Sequence, residues 1–115
     1  MDALVDCVDR WGRRIVLTEA QWRTHVVDGH PPLVGQEEAV RAALTAPERV
    51  MLDADHADRE NFYRRGALAA PHDHLYLKVT VDFAATRVDP LAPGFVVTAF
   101  PTDHIRRRER SKWRR

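Results

Sequence analysis

Apolar and polar residues alternate without a break in "HLYLKVTVDF". Leu75, Leu77, Val79, Val81 and Phe83 fall on one side, and His74, Tyr76, Lys78, Thr80 and Asp82 on the other. Period two over this length predicts a strand across residues 75–83, with one face in a core and the other polar. "GFVVTAFPT", residues 94–102, is rich in β-branched and aromatic residues and predicts another strand. Shorter strands are expected at "RVMLD" (49–53), at "NFYRR" (61–65) and around Ile15 to Leu17. Two stretches change to helical spacing. Thr18 followed three residues later by Gln21 is a capping-box pattern, and it opens a helix over residues 19–28 with Trp22 and Val26 toward the core. Gly29 is placed to be the left-handed residue after that helix, and Pro31 and Pro32 keep it from resuming. A second helix is expected over residues 36–45, with Val40, Ala43 and Leu44 as its apolar stripe and Pro47 as its end. The succession predicts an α+β domain, an N-terminal short strand and two helices packed on a four-stranded antiparallel sheet.

Composition narrows the class. A chain of 115 residues can build one modest core, and 44% apolar with 30% charged residues is a globular balance. No apolar run approaches the roughly 20 residues of a membrane span. The acidic start "MDALVDCVDR" lacks the form of a secretory signal. The single Cys7 has no partner for an internal disulfide, so a reducing, cytoplasmic setting is expected.

Charge divides the chain. Residues 106–115, "RRRERSKWRR", carry a net of +6, and residues 1–105 a net of −5. The expected organisation is one domain over 1–105 with a basic C-terminal tail over 106–115. Such a tail is an electrostatic footprint for a polyanion, with Arg106, Arg107 and Arg108 on phosphates and Trp113 stacked on a base. The competing expectation is a final helix on the acidic body, with Ile105 and Trp113 buried.

"WRTHVVDGHPP", "AVRAALTAPERVMLD", "FYRR", "LYLKVTV" and "VVTAFPT", taken in that order, give the chain a family likeness. Over residues 14–105 it resembles the phage-associated branch of the barnase–EndoU–colicin–RelE (BECR) nuclease superfamily. These are small metal-independent ribonucleases, many of them toxins. The resemblance implies helices followed by a four-stranded antiparallel sheet, RNA as substrate, no cofactor and, for a toxin, an antitoxin or immunity protein as partner. Members of this branch often carry Tyr where this chain has Phe100.

Metal-free RNA cleavage needs a base for the 2′-hydroxyl proton, an acid for the departing 5′ oxygen, and cations on the phosphate. Histidine suits both proton transfers, and Arg and Lys suit the phosphate. On one continuous helix His25 and His30 would stand about 140° apart. A turn at Gly29 would instead bring His30 to the helix end, beside the sheet. The plainer alternatives are a His30 that caps the helix carbonyls and a half-buried, hydrogen-bonded His25. Lys78 and Tyr76 share the polar face of the strongest strand. One of Arg64 and Arg65 should face the same way, and Arg64 is the one favoured. Thr98 sits in an apolar strand and needs a partner, either a phosphate oxygen or a nearby backbone group. "DADHAD" and "HDH" lack the further ligands of a calcium or zinc site, so no metal is expected.

The catalytic candidates are therefore His30, His25, Lys78, Arg64 and Thr98. The RNA-binding candidates are Tyr76, Arg65, Arg106, Arg107, Arg108 and Trp113. The enzyme reading requires His30, Lys78 and Arg64 to converge. Its rival is a non-catalytic RNA- or protein-binding module on the same fold.

Overall fold

The computed structural model describes residues 2–115. Its strands are β1 (Ala3–Val8), β2 (Arg14–Thr18), β3 (Arg49–Leu52), β4 (Arg59–Arg65), β5 (Tyr76–Asp82), β6 (Gly94–Thr102) and β7 (Arg110–Arg114). They form one seven-stranded sheet in the order β1-β2-β6-β5-β4-β3-β7. The helical part is α1 (Glu19–Gln21), which runs straight into a π-helix over Trp22–Val27, and α2 (Glu37–Thr45). Short 3-10 turns occupy Pro31–Leu33 and Ala84–Arg87.

The expected four-stranded antiparallel sheet is thus corrected to a mixed sheet of seven, with only two short α-helices. The four strands read from the sequence form its middle, an antiparallel run from β3 to β6. β2 was expected beside the helices; it joins the sheet instead, parallel to β6 through Ile15–Gly94 and Val16–Phe95. Gly94 is required there, because a Cβ would lie 2.5 Å from the Phe83 ring and 2.8 Å from Val81. β1 and β7 add the outer strands. Residues 106–115 are consequently neither a free tail nor a final helix, since Arg110–Arg114 is a strand paired with β3.

β5 lies at the centre, and Leu77, Val79 and Val81 are wholly buried. Their face meets Ala39, Val40, Ala43 and Leu44 of α2. The β1–β2 hairpin folds over the same face and adds Val5, Cys7, Ile15 and Leu17, so the sheet wraps around α2. Its two ends meet through side chains. Arg13, in the β1–β2 turn, binds Glu60 of β4 with two hydrogen bonds of 2.9 Å, and Lys112 of β7 binds the same carboxylate at 2.9 Å. Arg10 of that turn lies 4.0 Å over the ring of Trp113.

No helix among the described residues is long and apolar enough to cross a membrane. Leu77→Ala should cost about 2–5 kcal/mol in urea unfolding, as a large-to-small change at a filled site. A loss below about 0.5 kcal/mol would place Leu77 outside the core, since even Ile→Val changes at packed sites cost that much.

Candidate functional site

The second face of β5 is polar but not open. Cross-strand partners share a face, so the register defines a row: Phe100 of β6, Lys78 of β5, Tyr63 of β4, Arg49 of β3 and Arg114 of β7. The row beside it holds Thr98, Thr80, Asn61, Met51 and Ser111. Lys78, expected on this face as a cation for the phosphate, is only 5% exposed, and Thr80 6%.

What covers them is Glu109, the residue before β7. Its carboxylate accepts hydrogen bonds from the Tyr63 phenol at 2.8 Å, Asn61 Nδ2 at 2.8 Å and Lys78 Nζ at 3.1 Å. Asn61 in turn accepts from the Thr80 hydroxyl at 2.7 Å and donates to Asp53 at 3.0 Å. Every polar group in this cluster has a partner, as burial demands. Burial, and then the adjoining Glu109 carboxylate, push the Tyr63 phenol far above its ordinary range, so it stays a proton donor. Burial pushes the Asp53 carboxyl up, but Asn61, the Asp55 and His56 backbone N–H groups and the His56 ring outweigh it and bring Asp53 down to about 2.

His30 reaches this face from the edge. Thr18 caps α1 by accepting the Gln21 N–H at 3.1 Å. The Gln21 side chain does not close the expected capping box, but donates to the Val97 carbonyl on β6. Val97 is the extra residue of a β-bulge between the Thr80–Thr98 and Val81–Val96 pairs. This bond holds the helical segment along the open flank of β6. The segment is a π-helix over Trp22–Val27 rather than the expected α-helix, with Trp22 and Val26 turned inward. Gly29 is not left-handed. The abrupt stop comes from Pro31, which forces the preceding His30 out of helical geometry, to φ −138° and ψ 76°. The imidazole then stacks on Phe100, with ring centres 5.3 Å apart and planes 25° apart. Lys78 Nζ lies 5.5 Å from the centre of the same ring.

Other candidates divide by face. Thr98 shares the face of Lys78, and its hydroxyl has no hydrogen bond among the described residues. Tyr76 and Arg65 pair with each other on that face, the Arg65 guanidinium 4.2 Å over the Tyr76 ring. Arg64 does not belong there. It pairs with Leu77 on the α2 face and donates to the Ala46 carbonyl at 2.5 Å, so the choice between the two arginines is corrected to Arg65. His25 is exposed on the π-helix and makes no hydrogen bond among the described residues. Arg106 and Arg108 lie within 3.5 Å and 3.2 Å of Asp55, while Arg107 is exposed without an ion-pair partner among the described residues. Trp113 pairs with Val50 on the α2 face and packs against the core under Arg10, which removes it as a base-stacking platform.

Glu109 and Asn61 were not among the residues singled out from the sequence, and Tyr63 and Asp53 were noted only within "FYRR" and "DADHAD". A lone acid among seven cations was the one available signal for Glu109. Among the described residues no group of three or more His, Cys, Asp and Glu side chains is placed to hold a metal ion. No protein-family model, curated protein or solved structure matches the chain.

Glu109→Gln should cost about 3–5 kcal/mol in urea unfolding, because it leaves the Lys78 ammonium buried without its counter-charge. Adding Lys78→Met should restore more than half of that loss; no restoration would mean that the charge pair is not what the fold requires. The depressed Asp53 adds stability that is complete above its ordinary value of 3.8 and is lost as pH falls through about 2. In Asp53→Asn, the fall of the urea midpoint between those pH values should be shallower than in the parent protein.

Proposed function

We propose that this protein is a small endoribonuclease that cuts RNA without a metal ion, by attack of the 2′-hydroxyl on the adjacent phosphate. One observation carries the reading: His30, far in sequence from β4, β5 and β6, stacks on Phe100 in the row of Lys78 and Tyr63. Imidazole is the side-chain group best suited to move a proton at neutral pH. In the reaction the 2′-hydroxyl releases its proton to solvent water as the 2′ oxygen bonds to phosphorus, the bond to the 5′ oxygen breaks, and protonated His30 gives its proton to that departing oxygen. The Thr98 hydroxyl, on the same face, is the candidate group available to a non-bridging oxygen, whereas the Arg65 guanidinium lies two strands away and donates to the His74 carbonyl at 2.9 Å. Lys78 takes a different role from the one expected of it. Held by Glu109, it lies 5.5 and 5.6 Å from the centres of the Phe100 and Tyr63 rings and is not free to bind the phosphate.

RNA as substrate suits a cytoplasmic site of action. A toxin role, with an antitoxin that covers this face, would build on the nuclease activity.

The second reading is an RNA-binding module without chemistry. It is favoured by the side-chain exposures of Lys78 and Glu109, 6% and 0%, which leave His30 as the one proton-transfer group brought to the row. The two readings separate on product. Purified protein incubated with mixed RNA and EDTA should yield fragments ending in 2′,3′-cyclic phosphate. His30→Ala should slow this by about 10² or more, the usual scale for a positioned acid or base. A strict Mg²⁺ requirement, or an unchanged rate in His30→Ala, would sink the proposed mechanism.

A further inference from the structure

The row that begins at Phe100 runs past Tyr63 into a second feature. Beyond Tyr63 the surface sinks into a pocket of about 210 Å³ lined by Glu48, Arg49, Tyr76, Arg114 and Arg115. Three guanidinium groups face one carboxylate, and Glu48 already accepts the Arg65 backbone N–H at 3.1 Å. Arg49 and Arg114 are register partners, so their side chains leave the same face of adjacent strands. Neither has an ion-pair partner among the described residues, whereas Arg13, Arg14, Arg59 and Arg87 all do. Arg49 Nε is buried without any hydrogen-bond acceptor, and its Nη2 reaches only the Met51 sulfur at 3.8 Å. A buried N–H aimed at nothing is costly until an acceptor arrives.

We propose that this pocket binds a second backbone phosphate of the RNA strand, farther along the chain from the phosphate at His30. The inference rests on the RNA reading above and adds a subsite to it. Two guanidinium forks on neighbouring strands match the oxygens of one phosphate, which takes paired N–H donors. Three strand intervals separate Phe100 from Arg49, about 14 Å at the usual strand spacing, which is too far for both ends to hold the same phosphate. Between them Lys78 and Glu109 neutralise each other, so the two anion-binding ends are electrically distinct. The strand would therefore lie across β6, β5, β4 and β3, with Tyr76 and Arg65 along one flank.

The test compares the parent protein, Arg49→Gln/Arg114→Gln and His30→Ala on two probes. A fluorescent RNA of about ten nucleotides reports affinity against salt, within the range of strand lengths such surfaces hold. A dinucleoside monophosphate, with a single phosphate, reports cleavage without the pocket. The double variant should bind the longer RNA about tenfold more weakly, the scale of one lost charge-assisted contact. Its log–log salt slope should fall by about 0.7, the value for one phosphate on a single strand. It should raise KM for the longer RNA and leave kcat, and cleavage of the dinucleotide, as in the parent. His30→Ala should keep the affinity and slope and lose cleavage. Unchanged affinity and slope in a double variant that melts like the parent would overturn the subsite. Should that variant fail to fold, Arg114→Gln alone, on an exposed edge strand, must lower the slope, and no change there overturns the subsite equally. RNA binding that depends on Arg49 and Arg114, but with no cutting by the parent, would overturn the nuclease reading and keep the subsite. Absence of RNA binding by the parent would overturn both.

Discussion

The buried pair of Lys78 and Glu109 is the constraint on which the rest of the polar face depends. An ammonium and a carboxylate this far from water are tolerable only with each other and with further hydrogen bonds. Tyr63 and Asn61 supply those bonds from the neighbouring strand, and Thr80 and Asp53 complete the set. Because Glu109 comes from the connection into β7, the pair also ties the last strand to the centre of the sheet. The acid within the strongly basic C-terminal segment thus adds a central anchor to its pairing with β3 and to the contacts of Lys112 with Glu60 and of Arg106 and Arg108 with Asp55. Removing the charges would be easier on the fold than separating them, which makes the pair a device for alignment more than for stability.

Alternation and helical spacing made the middle of the fold legible. β3, β4, β5, β6 and α2 all lie within a residue or two of their expected bounds, because each buries apolar or aromatic residues at regular spacing. The outer strands lacked that signature. "ALVDCV" has one polar residue and no clean alternation, and "RSKWR" offers a single apolar residue to bury. β7 is a strand because β3 offers it an edge, which is a property of the partner and not of the segment. Charged edge strands also discourage further pairing.

The candidate site was half legible for a related reason. His30 and Lys78 were singled out for their chemistry, and they do meet at Phe100. Arg64 was misplaced because a two-residue choice on a strand depends on register, which a single strand does not reveal. Trp113 was assigned to RNA for the same lack. Its aromatic ring faces the core once the bulge at Lys112 is counted. The turn that delivers His30 was attributed to glycine, whereas the residue that dictates it is the proline that follows.

The parallel contact between β2 and β6 imposes an order in time. Ile15 and Val16 find their partners only at Gly94 and Phe95, after both helices and three intervening strands have emerged. The closing of so long a loop loses chain entropy before any contact repays it, and such topologies fold slowly. During synthesis β2 has no parallel neighbour until Gly94 and Phe95 have emerged, whereas the β1–β2 hairpin and the β3–β6 meander pair with strands near them in sequence. The joining of β2 to β6 is thus the step that needs both halves of the chain, and it closes one core around α2 from two locally paired parts.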